Sequence, residues 1–167
     1  MLETERLLLR PRRAADARVV HRLWRERDPR VPAHRRIGPD GRPTVAELEA
    51  AIGAERSSSL GLLTVELRPT GDVIGYCGLV DSSRGADGEP ELAFELLREV
   101  WGRGYATEAG LVVLGWARSA GHERLWAGVW DWNLASRRVL AKLGFTETGL
   151  EEADPVHGTT LLTSLRL

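Results

Sequence analysis

The chain has 167 residues, enough for one compact domain with a sizeable core and too few for two domains of ordinary size. Hydrophobic residues make up 43% and charged residues 28%, as in globular proteins, and the net charge of -1 gives no reason to expect a nucleic acid or an anionic membrane as a partner. Because no apolar run could span a membrane and the N-terminus is charged at once, we expect no anchor, no signal peptide and a cytoplasmic location.

A short strand and a helix are predicted at the start of the chain. Residues 6–10 are rich in leucine and end at Pro11, as a strand does. Asp16 then stands where a helix cap is expected, and Asp28 before a proline ends the helix. Three residues are predicted to share the buried face of this helix: Ala17, Val20 and Trp24.

A long loop and a second helix follow. Residues 30–43 combine proline, glycine, arginine and histidine without periodicity, which is typical of a surface loop. Residues 44–47 form a capping box, and the helix up to Gly53 is predicted to bury Leu48, Ala51 and Ile52. Four basic residues of the loop would suit an acidic acceptor, although a solvated charged surface is the simpler interpretation: Arg30, His34, Arg35 and Arg36.

Three β-rich runs predict an antiparallel meander: residues 62–67, 73–80 and 91–97. Residues 68–72 contain a hairpin glycine, and a polar turn is predicted over residues 81–88. Cys77, the single cysteine, is expected to be a small buried side chain of the middle strand. Alternation in the last strand puts Glu91 and Glu95 on one face, so two carboxylates approach the following loop.

The segment after this strand favours an anion site. Gly102 and Gly104 allow a sharp turn and a close approach of the backbone to a ligand. The first amides of the following helix, at residues 106–120, lack intrahelical acceptors and lie at the positive end of the helix dipole. With the charge of Arg103, this arrangement suits a phosphate or pyrophosphate, the alternative being a plain glycine-rich turn.

The rest of the chain completes an alternating pattern. The helix at residues 106–120 has an apolar stripe of Ala109, Val112, Val113, Trp116, Ala117 and Ala120. After a strand at residues 124–130, Asn133 or Asp131 caps a helix that Gly144 ends, with inward residues Ala135, Val139, Leu140 and Leu143. Residues 145–150 and 159–166 form a closing hairpin. We predict an α/β fold in one domain, residues 1–167, with a central mixed sheet between helices.

Two segments carry a resemblance to a known family. Residues 101–106, Trp-Gly-Arg-Gly-Tyr-Ala, and the later Asn133-Leu-Ala-Ser136 resemble the GNAT superfamily of acyl-CoA-dependent N-acyltransferases. In that family a Gln/Arg-x-x-Gly-x-Gly/Ala loop holds the coenzyme A pyrophosphate, and this chain departs from the pattern only at Trp101. The opening residues 3–10 and the Asn-x-x-Ser are similar to the branch of ribosomal-protein alanine N-acetyltransferases of the RimJ/RimL kind.

The resemblance implies a GNAT fold, with a mostly antiparallel sheet whose fourth and fifth strands splay apart. The pantetheine arm enters that gap and bonds free backbone groups at the end of the fourth strand, and no metal is expected. The implied acetyl-CoA contacts are Leu96, Leu97, Arg98, Trp101, Gly102, Arg103, Gly104, Tyr105, Ala106, Thr107, Asn133 and Ser136. The helical pair with the loop at residues 30–43 is implied to roof the acceptor site.

Acetyl transfer needs a neutral amine and a proton for the departing thiolate. Glu91 is the first candidate for the base and Glu95 the reserve, each with the alternative of an ordinary strand charge paired with a neighbour. Many relatives place a tyrosine where this chain has Leu140, so the resemblance assigns the acid to Ser136. The alternative is that Asn133 only caps the helix and Ser136 is first-turn filler.

We expect an enzyme that moves an acetyl group to a primary amine of a small molecule, or to a peptide or protein N-terminus, by direct attack in a ternary complex. The alternative is a non-catalytic acyl-CoA-binding module. A dinucleotide-binding fold is a poor third interpretation, because the sequence has no third glycine at the spacing that such folds require. A monomer or homodimer is expected. The aromatic residues Trp126, Trp130 and Trp132 would line the acceptor pocket or, more simply, pack in the core. His157 is expected to be structural or superficial.

Overall fold

The computed structural model describes residues 1–55, 61–82 and 89–167. Within these residues, eight strands form one sheet in the order β1-β2-β3-β4-β5-β6-β8-β7, flanked by four α-helices. The strands are β1 (Leu2–Glu3), β2 (Leu7–Pro11), β3 (Gly61–Leu67), β4 (Val73–Val80), β5 (Glu91–Leu96), β6 (Arg124–Trp130), β7 (Thr146–Asp154) and β8 (Gly158–Arg166). The helices are α1 (Ala17–Glu26), α2 (Val45–Gly53), α3 (Tyr105–Ser119) and α4 (Leu134–Leu143).

The sheet is mixed and mostly antiparallel, as predicted. Strands β2 to β5 form an antiparallel meander, and β8 lies between β6 and β7, antiparallel to both. Strands β5 and β6 are parallel and pair only through Glu91 and Trp126. They are the predicted fourth and fifth strands, because the short β1 precedes them. The predicted turn at residues 81–88 lies largely outside the described residues.

The helix ends follow the predicted chemistry at several positions. Thr44 accepts the amide of Glu47 at the start of α2, and the Glu47 carboxylate accepts the amide of Thr44, which confirms the capping box. Asn133 caps α4 by accepting the amide of Ser136 at 3.1 Å. Gly144 ends α4 at φ 92, a left-handed conformation that glycine adopts without strain.

The buried faces of the helices differ in part from the predicted stripes. Three alanines predicted to face inward are exposed: Ala51, Ala120 and Ala135. Each lies in the first or last turn of its helix or just beyond it, where the chain leaves the core. Leu23 and Leu114 are buried instead. In α3 the reason is Gly110, where an added Cβ would lie 2.6 Å from Leu143, so α4 packs closely on this side.

The single cysteine lies in the core. Cys77 is fully buried in β4, as predicted, and burial raises the pKa of its thiol to about 12. No helix of the described residues combines the length and the apolar character needed to cross a bilayer.

The prediction that Asp16 caps α1 is wrong. Its carboxylate makes no cap hydrogen bond and instead accepts both terminal nitrogens of Arg10, at 2.8 and 2.9 Å. The same carboxylate accepts the Thr64 hydroxyl at 2.7 Å and the Arg13 amide at 2.9 Å. Asp16 does occupy the N-cap position, but the cap hydrogen bond is absent because β2 and β3 present a buried cation and a hydroxyl to this side chain. The pair fastens the start of α1 to the sheet.

Burial opposes the negative charge of Asp16, but the hydrogen bonds from Arg10 and its other donors outweigh burial and lower the pKa of the carboxyl. A lowered folded-state pKa contributes stability above the unfolded value of about 3.9, and this stability is lost as the pH falls through the folded value.

We expect Asp16→Asn to lower the free energy of unfolding at neutral pH by about 2 kcal/mol, because it removes the carboxylate that binds two nitrogens of the buried Arg10 and leaves Glu66 as its remaining anion. Urea titration measures the change, with Asp72→Asn in an exposed turn as the control. The difference from wild type should shrink in acid, where Asp16 itself becomes protonated. Equal unfolding midpoints at neutral pH would contradict this role.

Candidate active site

The loop between β5 and α3 has the backbone geometry of an anion site. Gly102 and Gly104 adopt φ values of 76 and 83, a left-handed region in which other residues are strained. Helix α3 begins at Tyr105, and its first α-helical bond runs from the amide of Glu108 to the carbonyl of Gly104. The amides at residues 105–107 therefore precede the hydrogen-bonded helix and suit a negatively charged group.

Residues from the start of the chain hold this loop. The Glu108 carboxylate accepts the Thr4 hydroxyl at 2.5 Å and Nε of Arg6 at 2.7 Å. The same Arg6 donates through Nη1 to the carbonyl of Arg103 at 3.1 Å and lies 4.5 Å above the ring of Tyr105. These contacts fix the carbonyl side of the loop, which leaves the amide side for a ligand.

A groove of about 380 Å³ runs from this loop between β5 and α4. It is lined by Phe94, Leu96, Val100, Trp101, Gly102, Gly104, Tyr105, Ala106, Thr107, Ala135, Arg138, Val139 and Lys142. Arg138 and Lys142 were not among the predicted contacts, although their i, i+4 spacing places both on one face of α4. With Arg103 in the loop, they supply the positive charge that a diphosphate group requires, so the residues present fit coenzyme A.

The gap between β5 and β6 opens beside Glu91. The amide of Trp126 donates to the carbonyl of Pro90 at 2.9 Å, and the strands pair at Glu91. The next outward amide of β6, that of Gly128, donates to Oε1 of Glu91 at 3.0 Å. The Glu91 carboxylate thus accepts the hydrogen bond that a carbonyl of β5 would accept if the two strands stayed paired. The Gly128 amide therefore keeps a partner although the strands separate.

The expectation of free backbone groups at the end of β5 is wrong for the amides of Leu97 and Arg98 and for the carbonyl of Leu96. The amide of Leu97 donates to Ile74 at 2.9 Å, and the amide of Arg98 donates to Oε2 of Glu26 at 2.9 Å. The carbonyl of Leu96 accepts Nε1 of Trp101 at 2.7 Å. Because bonded pairs alternate along antiparallel strands and Leu97 bonds to β4, the amides of Phe94 and Leu96 point toward β6 instead.

Both predicted carboxylates lie in one smaller cavity of about 210 Å³. Its wall includes Glu91, Phe94, Glu95, Gly128 and Trp130, with Arg27, Val31, Arg35, Tyr76 and other residues around them. A third cavity of about 390 Å³ shares Arg27, Val31 and Glu95 with it, and shares Leu96, Trp101 and Ala135 with the groove. The three cavities therefore form one continuous surface from the glycine loop to Glu91.

Glu95 differs from Glu91 in its surroundings. Both of its oxygens accept from Arg27, at 2.8 Å from Nε and 2.5 Å from Nη2, and the Tyr76 hydroxyl donates to it at 2.7 Å. The Arg27 side chain is only 10% exposed, and its Nη1 donates to the carbonyl of Arg35 at 2.5 Å. The two side chains tie the loop after α1 to the end of β5.

The Asn-x-x-Ser segment is only partly in the cavities. Asn133 lines the cavity of 390 Å³ while its side chain caps α4. Ser136 lines none of the three cavities, and among the described residues its hydroxyl has no hydrogen-bond partner. Leu140, at the position where relatives have a tyrosine, is buried. The described ranges contain no group of three metal-ligand side chains.

Aromatic residues close the outer side of the site. Trp130 and Trp132 are stacked with centroids 6.0 Å apart, and the guanidinium of Arg30 lies 4.1 Å above Trp132. His157 donates through Nδ1 to the carbonyl of Arg30 at 2.8 Å, which is the structural role expected of it. Trp126 is buried and donates to Glu89. These contacts attach the loop after α1 to the β7–β8 turn beside the cavities.

Comparison with known proteins gives a consistent family. The model of a family described as an acetyltransferase (GNAT) domain matches residues 6–146. A Bacillus licheniformis protein named uncharacterized N-acetyltransferase p20 is 31% identical over 156 residues, which cover 89% of this chain and 84% of the relative. Both matches extend over most of the chain.

Three solved structures share the fold. A GNAT-family acetyltransferase from Bacillus anthracis has a TM-score of 0.78 at 19% identity, covering 99% of this chain and 97% of that one. The ribosomal-protein-S5-alanine acetyltransferase of Vibrio fischeri gives 0.69 at 20% identity, covering 98% and 94%. The putative acetyltransferase yncA of Salmonella typhimurium, solved with acetyl-CoA, gives 0.72 at 20% identity, covering 96% and 94%.

The environment of Tyr76 gives a spectroscopic prediction. Burial, and then the neighbouring Glu95 carboxylate, raise the pKa of the Tyr76 phenol above its usual value. In a Tyr105→Phe protein, which keeps Tyr76 as its one tyrosine, we expect no tyrosinate absorbance near pH ~10 while the protein is folded. Adding Glu95→Gln should move the onset to lower pH. The urea-unfolded protein is the control, and an ordinary titration in the folded protein would contradict the geometry.

Proposed function

The chain belongs to the GNAT family of acetyltransferases, and we propose that it transfers the acetyl group of acetyl-CoA to a primary amine of a small molecule or of a peptide or protein N-terminus. The observation that carries this proposal is the continuous surface from the glycine loop to the Glu91 carboxylate in the gap between β5 and β6. Residues 1–167 would act as one catalytic domain in the cytoplasm, as a monomer or homodimer.

Within the family we favour the RimJ/RimL branch. The support is the opening segment at residues 3–10 and the Asn133-Leu-Ala-Ser136 segment, together with the fold shared with a ribosomal-protein alanine acetyltransferase. The opening segment also has a physical role that fits this proposal, because Thr4 and Arg6 hold the loop through Glu108.

Acetyl-CoA would supply an activated thioester, and the chain would hold it along the groove. The amides at residues 105–107 and the charges of Arg103, Arg138 and Lys142 suit its phosphates. The outward amides of Phe94 and Leu96 suit the pantetheine arm, beside Asn133. Of the remaining predicted contacts, Trp101 and Arg98 contribute side chains, whereas Leu97 is buried with its amide bonded and is left out of the proposal.

Glu91 is the proposed base. The acceptor reaches the site mainly as an ammonium ion, which cannot attack until it loses a proton. The amide of Gly128 holds Oε1 of Glu91 in the gap between β5 and β6. Glu95 is a poorer base because taking a proton would break its pair with Arg27. The Ser136 hydroxyl is the proposed donor of a proton to the departing sulfur.

Charge reversal should test the cofactor groove. We expect Arg138→Glu and Arg103→Glu each to raise the Kd for acetyl-CoA at least about tenfold, the scale of one lost charge-assisted contact. Calorimetry at low salt measures the effect, which should shrink at high salt. Arg118→Glu, exposed at the far end of α3, is the control, and pantetheine without phosphates should bind all proteins alike. Unchanged acetyl-CoA affinity in both variants would overturn the assignment of the phosphate loop.

Glu91→Gln should test the base. The amide oxygen of glutamine still accepts the Gly128 amide, so folding and acetyl-CoA binding should persist while turnover falls about 10²-fold. The loss should be greatest at low pH and partly recovered as the pH approaches the pKa of the acceptor amine. Thiol release across pH measures this, with Glu151→Gln on exposed β7 as the control.

The alternative functions give different outcomes in the same assay. Full activity of Glu91→Gln at every pH would exclude Glu91 as the base. If only Glu95→Gln then lost activity with the same pH profile, Glu95 would be the base. Acetyl-CoA binding without thiol release from any amine would favour a non-catalytic acyl-CoA-binding module.

A further inference from the structure

The charged residues around the cavity of 210 Å³ are unequally partnered. In the loop after α1, Arg27 pairs with Glu95 and Arg30 with Asp28. Arg36 donates through Nε to the carbonyl of Val31 at 2.7 Å. The guanidinium of Arg35 has no hydrogen bond or ion pair with any of the described residues, yet Arg35 lines the cavity that contains Glu91.

Arg35 is held in place through its backbone. Its carbonyl accepts Nη1 of Arg27, whose other nitrogens grip Glu95 of β5. Arg35 also ends a short 3-10 turn, Ala33–Arg35, which limits the freedom of its backbone. The Arg27–Glu95 pair therefore fixes the position of the Arg35 backbone. From there the unpartnered guanidinium of Arg35 extends at the rim of the cavity. A guanidinium in this position suits a carboxylate, which it can bind through two parallel hydrogen bonds.

The cavity limits the rest of the acceptor. Its volume of about 210 Å³ is small beside the roughly 300–1,000 Å³ of sites for drug-sized ligands, so the part of the acceptor beside Glu91 is compact. Polar groups make up most of its accessible wall, and Val31, Leu92, Phe94 and Trp130 add apolar side chains to it. The charge of Arg27 is balanced by Glu95, but a polyamine would bring a further positive charge close to the unpartnered guanidinium of Arg35, at an electrostatic cost.

We propose that the acceptor is a free α-amino acid, with its amine beside Glu91, its carboxylate on Arg35 and its side chain near Val31, Phe94 and Trp130. This proposal rests on the proposed acetyl transfer and specifies its acceptor. Arg35 then determines specificity without taking part in the proton transfer, so its loss should act on acceptor affinity more than on turnover.

Matched acceptors test the proposal by thiol release from acetyl-CoA. L-Leucine should exceed L-leucinamide at least about tenfold in kcat/KM, because the amide keeps the side chain and amine but lacks the carboxylate. The amine of leucinamide loses its proton more readily, so a preference for leucine cannot come from amine basicity. Isoamylamine and spermidine, which also lack a carboxylate, should be poor acceptors.

Variants of Arg35 locate the effect. Arg35→Ala should lower kcat/KM for leucine by roughly 10- to 100-fold, mainly by raising KM, and should leave leucinamide nearly unchanged. Arg35→Lys should restore part of the loss, and Arg35→Glu should favour spermidine over leucine. Arg25→Ala removes an exposed arginine of α1 that lines none of the cavities, and it should have no effect.

The possible failures are distinguishable. Acetylation of spermidine or a peptide N-terminus without acetylation of leucine would overturn the amino-acid acceptor and leave acetyl transfer standing. Equal rates with leucine and leucinamide, unaffected by Arg35→Ala, would do the same. If acetyl-CoA binds but no amine is acetylated, both the acceptor class and the catalytic proposal fail.

Discussion

The parallel pairing of β5 and β6 ends after a single residue pair, and the rest of the site depends on how it ends. Two strands that separate leave amides without partners, and a buried amide without an acceptor is costly. Glu91 resolves this by placing a carboxylate oxygen on the amide of Gly128. The same interaction holds an acidic group in the opening that the separation creates. The bond that the structure shows and the proton transfer that we propose therefore use the same side chain.

The two carboxylates of β5 show how surroundings divide roles between like residues. Glu91 faces the backbone of β6, whereas Glu95 is bound on both oxygens by Arg27 and receives the Tyr76 hydroxyl. Breaking such a poorly exposed pair is expensive, so Glu95 suits a permanent attachment, and Glu91 is the carboxylate of this strand that we propose as the base. The Arg27–Glu95 pair holds the loop after α1 beside the cavity, so this loop is attached to the same strand, β5, that carries Glu91.

Local signals in the sequence predicted the parts of the site that depend on local geometry. The glycine pair before α3, the capping box at Thr44 and the cap at Asn133 follow from conformational limits of neighbouring residues. The partners of Asp16 and Glu95 could not be found this way, because Arg27 lies 68 positions from Glu95 and alternation treats both glutamates alike. Similarly, periodicity located the helices but not the closer packing at Gly110, which depends on Leu143 of another helix.

The hold of Arg6 on the glycine loop links cofactor recognition to the order in which the chain is made. Its contacts to Glu108 and to the carbonyl of Arg103 span 102 and 97 positions. During synthesis Arg6 must therefore wait, without these partners, until α3 has left the ribosome. Contacts that close such long loops form late and cost the most chain entropy. A ligand bound to the loop would add its binding energy to the assembled state alone, so cellular acetyl-CoA would favour completion of the fold.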